Sequence, residues 1–186
     1  MDDFYISKVR DGDHKSFRYL VDKYKDRSFS LALGIVKDSQ LAADVVQESF
    51  INAFKGLRTF EGRSGFATWF YKIVVNESLK HITKNKSFRN FVDAEFPDNS
   101  TTVDNEAISL MKLNDQKKYV NETLDEMESR DSLVLRLHYL DDLKLSDIAD
   151  IVGINENNVK IILFRARNEF LIILQRKLKS EIHSLI

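Results

Sequence analysis

The chain of 186 residues has no cysteine, one proline, six glycines and one tryptophan. Without cysteine there is no disulfide framework, no thiolate metal site and no cysteine nucleophile. So little proline and glycine among abundant helix formers argues against a turn-rich β protein and for an all-α one. No apolar run approaches the roughly 18 residues of a membrane span, which predicts no direct membrane insertion. The opening Met1-Asp2-Asp3-Phe4 is acidic and lacks the hydrophobic core of a secretory signal, so a cytoplasmic location is expected. The four histidines, His14, His81, His138 and His183, have no metal-ligand spacing. No glycine-rich phosphate loop or nucleophile–base pair is present, so no enzyme activity, metal, cofactor or small-molecule substrate is expected. Asp141-Asp142 could suggest an acidic metal pair, but it precedes a helix, where negative charge suits the N-terminal dipole.

Net charge is also scarce: −1 over the whole chain. That sum hides a strong asymmetry. Residues 1–90 hold 16 Lys and Arg against 11 Asp and Glu, residues 91–130 hold 4 against 10, and residues 131–186 hold 8 of each. Two windows are distinctly basic, 55–90 with 8 positive and 2 negative residues and 160–179 with 6 and 1. Salt screens charge beyond about 8–10 Å, so a polyanion responds to these local windows and not to the total.

Helical periodicity is plain on both sides of one break. Phe17, Leu20, Val21 and Tyr24 mark one amphipathic helix. Val45, Val46, Phe50, Ala53, Phe54 and Leu57 mark another, with Asp38 or Ser39 as its N-cap. Phe66, Trp69, Phe70, Ile73 and Val74 open a third after a loop with two glycines. From Asp93 the composition turns to Asp, Asn, Ser and Thr and includes Pro97, a linker signal. The predicted architecture is two small helical domains, residues 1–92 and 113–186, joined by an acidic linker over residues 93–112.

Within the second domain, Ala149, Gly153 and Val159 have the spacing of a helix-turn-helix. A small residue stands where the helices cross, glycine tolerates positive φ in the turn, and an apolar anchor lies one turn into the second helix. Asn155 is placed to cap that helix, which carries Lys160, Arg165 and Arg167. A plain helical hairpin has the same periodicity; the basic run favours DNA.

The window 60–91 interleaves aromatics with positive charge, including Phe60, Arg63, Phe66, Trp69, Lys72, Lys80 and Lys84. Cations neutralise phosphates, and an aromatic face stacks an unpaired base for roughly 1–3 kcal/mol. Phe66, Trp69, Phe70 and Ile73 equally have the spacing of a buried core face. Opposite the apolar face of the second helix runs a polar stripe of Asp44, Gln47, Glu48 and Asn52, which reads as a solvated face or a partner surface.

Together these stretches resemble the extracytoplasmic-function group of bacterial RNA polymerase sigma factors. The residues that carry the resemblance are Phe17-x-x-Leu20-Val21-x-x-Tyr24 and Ala43-Asp44-Val45-Val46-Gln47-Glu48-Ser49-Phe50. To these are added Phe66-x-x-Trp69-Phe70-Tyr71-Lys72-Ile73-Val74-x-Asn76, Asp147 to Ile154, Asn158-Val159-Lys160 and Phe164-Arg165-Ala166-Arg167. The resemblance implies a promoter-specificity subunit of RNA polymerase without covalent chemistry of its own. Asp44, Gln47, Glu48 and Phe50 would dock on the clamp helices of the polymerase core, and the second domain on its flap. Phe60, Arg63, Ser64, Phe66, Trp69, Lys72, Asn76, Lys80 and Lys84 would read and melt the minus-ten element of promoter DNA. Asn157, Asn158, Lys160, Ile161, Phe164, Arg165 and Arg167 would read the minus-thirty-five element. An anti-sigma factor is the expected regulator. The chain departs from the family pattern at Ile161-Ile162, where a small polar and a basic residue are usual, and at Lys144, where a capping serine is usual. Two alternatives remain open at this point: a helix-turn-helix regulator that acts without docking on polymerase, and a helical scaffold with no nucleic-acid role.

Overall fold

The computed structural model describes residues 1–82 and 113–184; the linker expected at 93–112 and the side chain of Lys84 lie outside the described residues. Four helices form the first bundle: α1 (Asp2–Arg10), α2 (Phe17–Val36), α3 (Ser39–Gly56) and α4 (Phe66–Ile82). Four more form the second: α5 (Leu113–Glu126), α6 (Ser129–Leu135), α7 (Leu145–Val152) and α8 (Glu156–Ser184), with a π-helical turn over Arg136–Leu140 continuing α6. No strand occurs among the described residues, in agreement with the all-α expectation.

Local chemistry sets the boundaries. α1 begins with Asp2 and Asp3 and ends with Lys8 and Arg10, the order that complements the helix dipole. α2 stops where Lys37 turns left-handed at φ 57°, its N–H bonding to the Leu33 carbonyl. Asp38 then caps α3, its Oδ1 accepting from the Leu41 N–H at 2.8 Å. Asp38→Ala should cost about 1 kcal/mol. The thermal midpoint should therefore fall by roughly 2–4 °C.

The first core is aromatic: Phe17, Tyr24, Phe50, Phe66, Phe70 and Tyr71 are buried, and the Phe66 and Phe70 rings stack 5.7 Å apart. The second is aliphatic, built from Leu124, Leu133, Leu137, Ile148, Val159, Ile162 and Leu163. The two cores merge. α6 packs on α2 and α7 packs on α4, so one contiguous apolar interior runs through both bundles.

Candidate nucleic-acid interface

The helix-turn-helix forms as its residues dictate. Gly153 ends α7 at φ 77°, and the N–H groups of Gly153 and Ile154 both bond to the Ala149 carbonyl, at 2.8 and 3.2 Å. The side chain of Asn155 accepts from the Asn158 N–H at 2.8 Å, which caps α8. Lys144 gives α7 no side-chain cap, as its departure from the usual serine implies. Val159, Ile162, Leu163 and Ala166 anchor α8 in the core.

The outer face of α8 is a continuous stripe. Asn157, Lys160, Ile161, Phe164 and Arg167 are all exposed and recur three or four residues apart, so they share one side of the helix. Ile161 and Phe164 are 44% and 51% exposed. Lys160 Nζ lies 3.2 Å from Glu156 Oε1, and the Arg167 guanidinium stands 5.7 Å from the centre of the Tyr139 ring. Asn158 is half-buried, and its backbone N–H completes the cap.

Arg165 is placed differently from the expectation. Its Nε and Nη2 grip the two oxygens of Asp131 at 2.9 and 2.6 Å, across from α8 to α6. Asp131 is 1% exposed, so this fork satisfies a buried carboxylate and holds the Arg165 guanidinium above its ordinary pKa range.

On the first bundle, Asp44, Gln47 and Glu48 lie exposed along α3, together with Asn52. Phe50 does not join them: it is buried against Phe70, with ring centres 4.5 Å apart. The helical period puts it on the opposite face from the stripe, so it supports the surface from beneath.

Of the two readings open for the aromatics at the two-glycine loop, the structure shows the packed one. Phe60 and Phe66 are buried, with Phe60 packed on Trp69 at 4.8 Å between centres. The cause is a distant residue: the Arg10 guanidinium donates to the carbonyls of Leu57 (3.0 Å) and Phe60, drawing the loop onto α1. Glu61, Gly62 and Arg63 are exposed at the tip, where Arg63 Nε pairs with Glu61 Oε2 at 2.5 Å. Ser64 is half-buried.

Beyond the loop, Trp69, Ile73, Asn76 and Lys80 line one side of an open groove of about 650 Å³ whose other wall is Asn52 and Gly56 of α3. A side chain at Gly56 would come within 3.2 Å of the Trp69 ring, so glycine is what lets the indole approach α3 this closely. Lys72 is exposed one turn before Asn76. Glu77, buried at the floor, accepts from Asn52 Nδ2 at 3.0 Å and Lys80 Nζ at 2.7 Å, tying the walls together.

The structure therefore brings together four surfaces: the α3 stripe, the loop tip, the Trp69–Lys80 groove and the α8 stripe. It removes Phe50, Phe60 and Phe66 from direct exposure and gives Arg165 an internal partner. Sequence reasoning missed Arg10 and Glu77. Neither carries a local signal, since their partners lie on other helices. A second groove, of about 460 Å³ and largely apolar, opens on the second bundle between Val120, Leu124, Leu135, Tyr139, Leu140 and Phe170. No group of three or more His, Asp or Glu residues that could hold a metal occurs among the described residues. No helix there is long and apolar enough to cross a membrane.

Comparison with known proteins agrees with this geometry. Residues 20–88 match the Sigma-70 region 2 family and residues 117–170 match Sigma-70, region 4. The chain is 31% identical to the RNA polymerase sigma-H factor of Pseudomonas aeruginosa, over 87% of this chain and 88% of that one. It is 30% identical to the ECF RNA polymerase sigma-E factor of Haemophilus influenzae, over 89% and 91% of the two chains. The fold is similar to that of the sigma factor RpoE solved in complex with the anti-sigma factor NepR from Bartonella quintana. That likeness has a TM-score of 0.63 at 20% identity and covers 87% of this chain and 98% of that one.

Proposed function

The chain belongs to the extracytoplasmic-function group of RNA polymerase sigma factors, and on that premise we propose how its surfaces divide the work. It directs core RNA polymerase to specific promoters and assists their melting, and it is not an enzyme. Residues 1–92 act as the unit that binds core polymerase and reads the minus-ten element. Residues 93–112 act as an acidic linker, and residues 113–186 as the minus-thirty-five reader. Asp44, Gln47 and Glu48 dock on the polymerase clamp helices, with Phe50 backing them. The apolar groove at Leu124 and Phe170 receives the flap.

The tip at Arg63 and Ser64, over a floor of Phe60 and Phe66, meets the displaced strand of the minus-ten element. Trp69, Lys72, Asn76, Lys80 and Lys84 carry that strand's bases and phosphates. The α8 stripe enters the major groove at the minus-thirty-five element: Asn157, Asn158 and Ile161 face base edges, Phe164 adds apolar contact, and Lys160 and Arg167 face phosphates. Arg165 braces the helix from behind. Work on polymerase and promoter places the protein in the bacterial cytoplasm, and a chain of this family suits control by an anti-sigma factor.

One observation carries the reading above a lone helix-turn-helix regulator. A capped, exposed recognition helix shares the molecule with an acidic helix stripe and a basic–aromatic groove, which such a regulator would leave without work. Run-off transcription on genomic promoter fragments tests it. Adding the protein to core polymerase should produce discrete start sites, and transcription no greater than core alone would overturn it.

A further inference from the structure

We propose that Arg10 is a positioning residue for promoter melting: through two backbone carbonyls it holds the two-glycine loop in the shape that captures an unpaired base, and it touches no DNA itself. The inference rests on the sigma-factor reading of that loop. Arg10 lies ahead of residues 20–88, the stretch that matches Sigma-70 region 2.

At the end of α3 the chain passes through a 3-10 turn, Leu57–Thr59, into the loop. A helix end leaves carbonyls without amide partners, and a cationic donor suits them. α1 supplies it from its last turn. Arg10 donates from Nε to the Leu57 carbonyl at 3.0 Å and from Nη2 to the Phe60 carbonyl, so one planar fork spans the turn from end to end. Among the described residues, no other side chain from outside the loop hydrogen-bonds to its backbone. At the tip, Gly62 stands at φ 72°, and the Arg63–Glu61 pair is internal to the loop. Arg10 is therefore the polar tether of a segment otherwise held by apolar packing alone.

That packing is what the tether controls. The Phe60 ring lies 4.8 Å from Trp69 and 6.2 Å from Phe66 between centres. Trp69 in turn lines the groove assigned to the displaced strand. A shift of the Phe60 backbone moves its ring, and with it both the floor of the base site and one wall of the groove. Capture by a preformed site costs no loop ordering. A loop that holds the competent shape for only a fraction of the time loses that same fraction of its apparent affinity.

Arg10 also lines a cleft with His14, Lys55 and Arg58, which makes direct contact with a DNA phosphate the rival role. Lysine separates the two. A phosphate contact needs positive charge, which lysine keeps; the tether needs a two-pronged donor, which lysine lacks. Lysine also preserves the cation that complements the dipole at the end of α1.

The test compares holoenzymes reconstituted with wild-type protein, Arg10→Ala and Arg10→Lys, following promoter opening by permanganate reactivity of unpaired thymines. Arg10→Ala should lower the opening rate about tenfold, the effect of a loop competent for about a tenth of the time. Arg10→Lys should lower it several-fold. Affinity for core polymerase and for a minus-thirty-five duplex should stay at the wild-type value, as should the salt slope of promoter binding. A lost phosphate contact would instead lower that slope by about one in Arg10→Ala and leave Arg10→Lys like wild type. The single tryptophan, Trp69, reports on the loop in the free protein. Both variants, held well below their thermal midpoints, should emit at longer wavelength and be quenched more readily by acrylamide, which a purely stabilising role would not produce. If Arg10→Ala does not fold, Arg10→Lys decides alone. Opening by Arg10→Lys at the wild-type rate, or unchanged Trp69 emission, would overturn the proposal. A wild-type holoenzyme that opens no promoter would instead overturn the sigma-factor reading of the loop.

Discussion

Asp44→Lys with Glu48→Lys should weaken association with core RNA polymerase at least about a hundredfold and abolish run-off transcription, while binding to a minus-thirty-five duplex stays intact. The two carboxylates lie one turn apart on the exposed face of α3, and Gln47 sits between them. A helix partner that complements this stripe must offer positive charge. Reversal replaces two attractions by two repulsions, and like charges facing each other across an interface cost several kcal/mol. A hundredfold loss corresponds to about 2.7 kcal/mol, well inside that range. Folding should change little, because substitutions at exposed positions away from caps and pairs stay within about 0.5 kcal/mol. Glu48 Oε2 lies 3.4 Å from His81 Nε2, an exposed pair with little stability to lose. The expected signature is a normal thermal midpoint, normal duplex binding and no polymerase in a pull-down. Polymerase binding that survives the reversal would remove the α3 stripe from the interface.

What the sequence revealed and what it hid follows the range of the interactions. The helix-turn-helix was legible because its determinants are local: Gly153, Ala149, Asn155 and Val159 act on neighbours within one or two turns. The α3 stripe was legible for the same reason, since a helical period fixes which residues share a face. Phe50 lies on the other face of that period, buried against Phe70, although the family motif runs through it. The loop between Phe60 and Phe66 was harder. The two glycines mark the loop, but Arg10, fifty residues earlier, fastens the Phe60 carbonyl to α1, and no local signal announces it.

The seam between the bundles was illegible. Tyr71 and Arg27, which hold the Asp141 carboxylate there, lie 70 and 114 residues from it, and no periodicity pairs them. Asp141 and Asp142 look alike in sequence yet part company in the fold. The first is buried beneath two helices of the other bundle, and the second turns left-handed at φ 53°. Helix α7 starts three residues beyond them, with Asp147 as the acid in its first turn, so the dipole argument for the pair passes to another residue.

Arg165 shows how much depends on that distinction, because Arg165→Ala and Arg167→Ala should fail in different ways. Both arginines belong to the basic run of α8, and composition treats them alike. Arg165 forks onto Asp131, which is 1% exposed and has Arg130 Nε as a further cation at 3.6 Å. Removing Arg165 takes the two-pronged partner from a buried carboxylate and leaves it Arg130 alone; breaking a buried pair typically costs 3–5 kcal/mol. The guanidinium is itself 39% exposed, so water softens the loss and about 3 kcal/mol is expected. The midpoint should fall by roughly 6–12 °C, yet below it the variant should still bind a minus-thirty-five duplex with the wild-type salt dependence. Arg165→Lys should recover part of the stability, because an ammonium restores the charge without the two-pronged fit. Arg167, by contrast, is exposed on the outer stripe beside Tyr139. Arg167→Ala should leave the midpoint within about 1–2 °C. It should weaken duplex binding across sequences and lower the salt slope by about one. A stable Arg165→Ala protein with weakened DNA binding would return that residue to the DNA surface; an unstable one that still binds when folded would fix it as the strut behind the recognition helix.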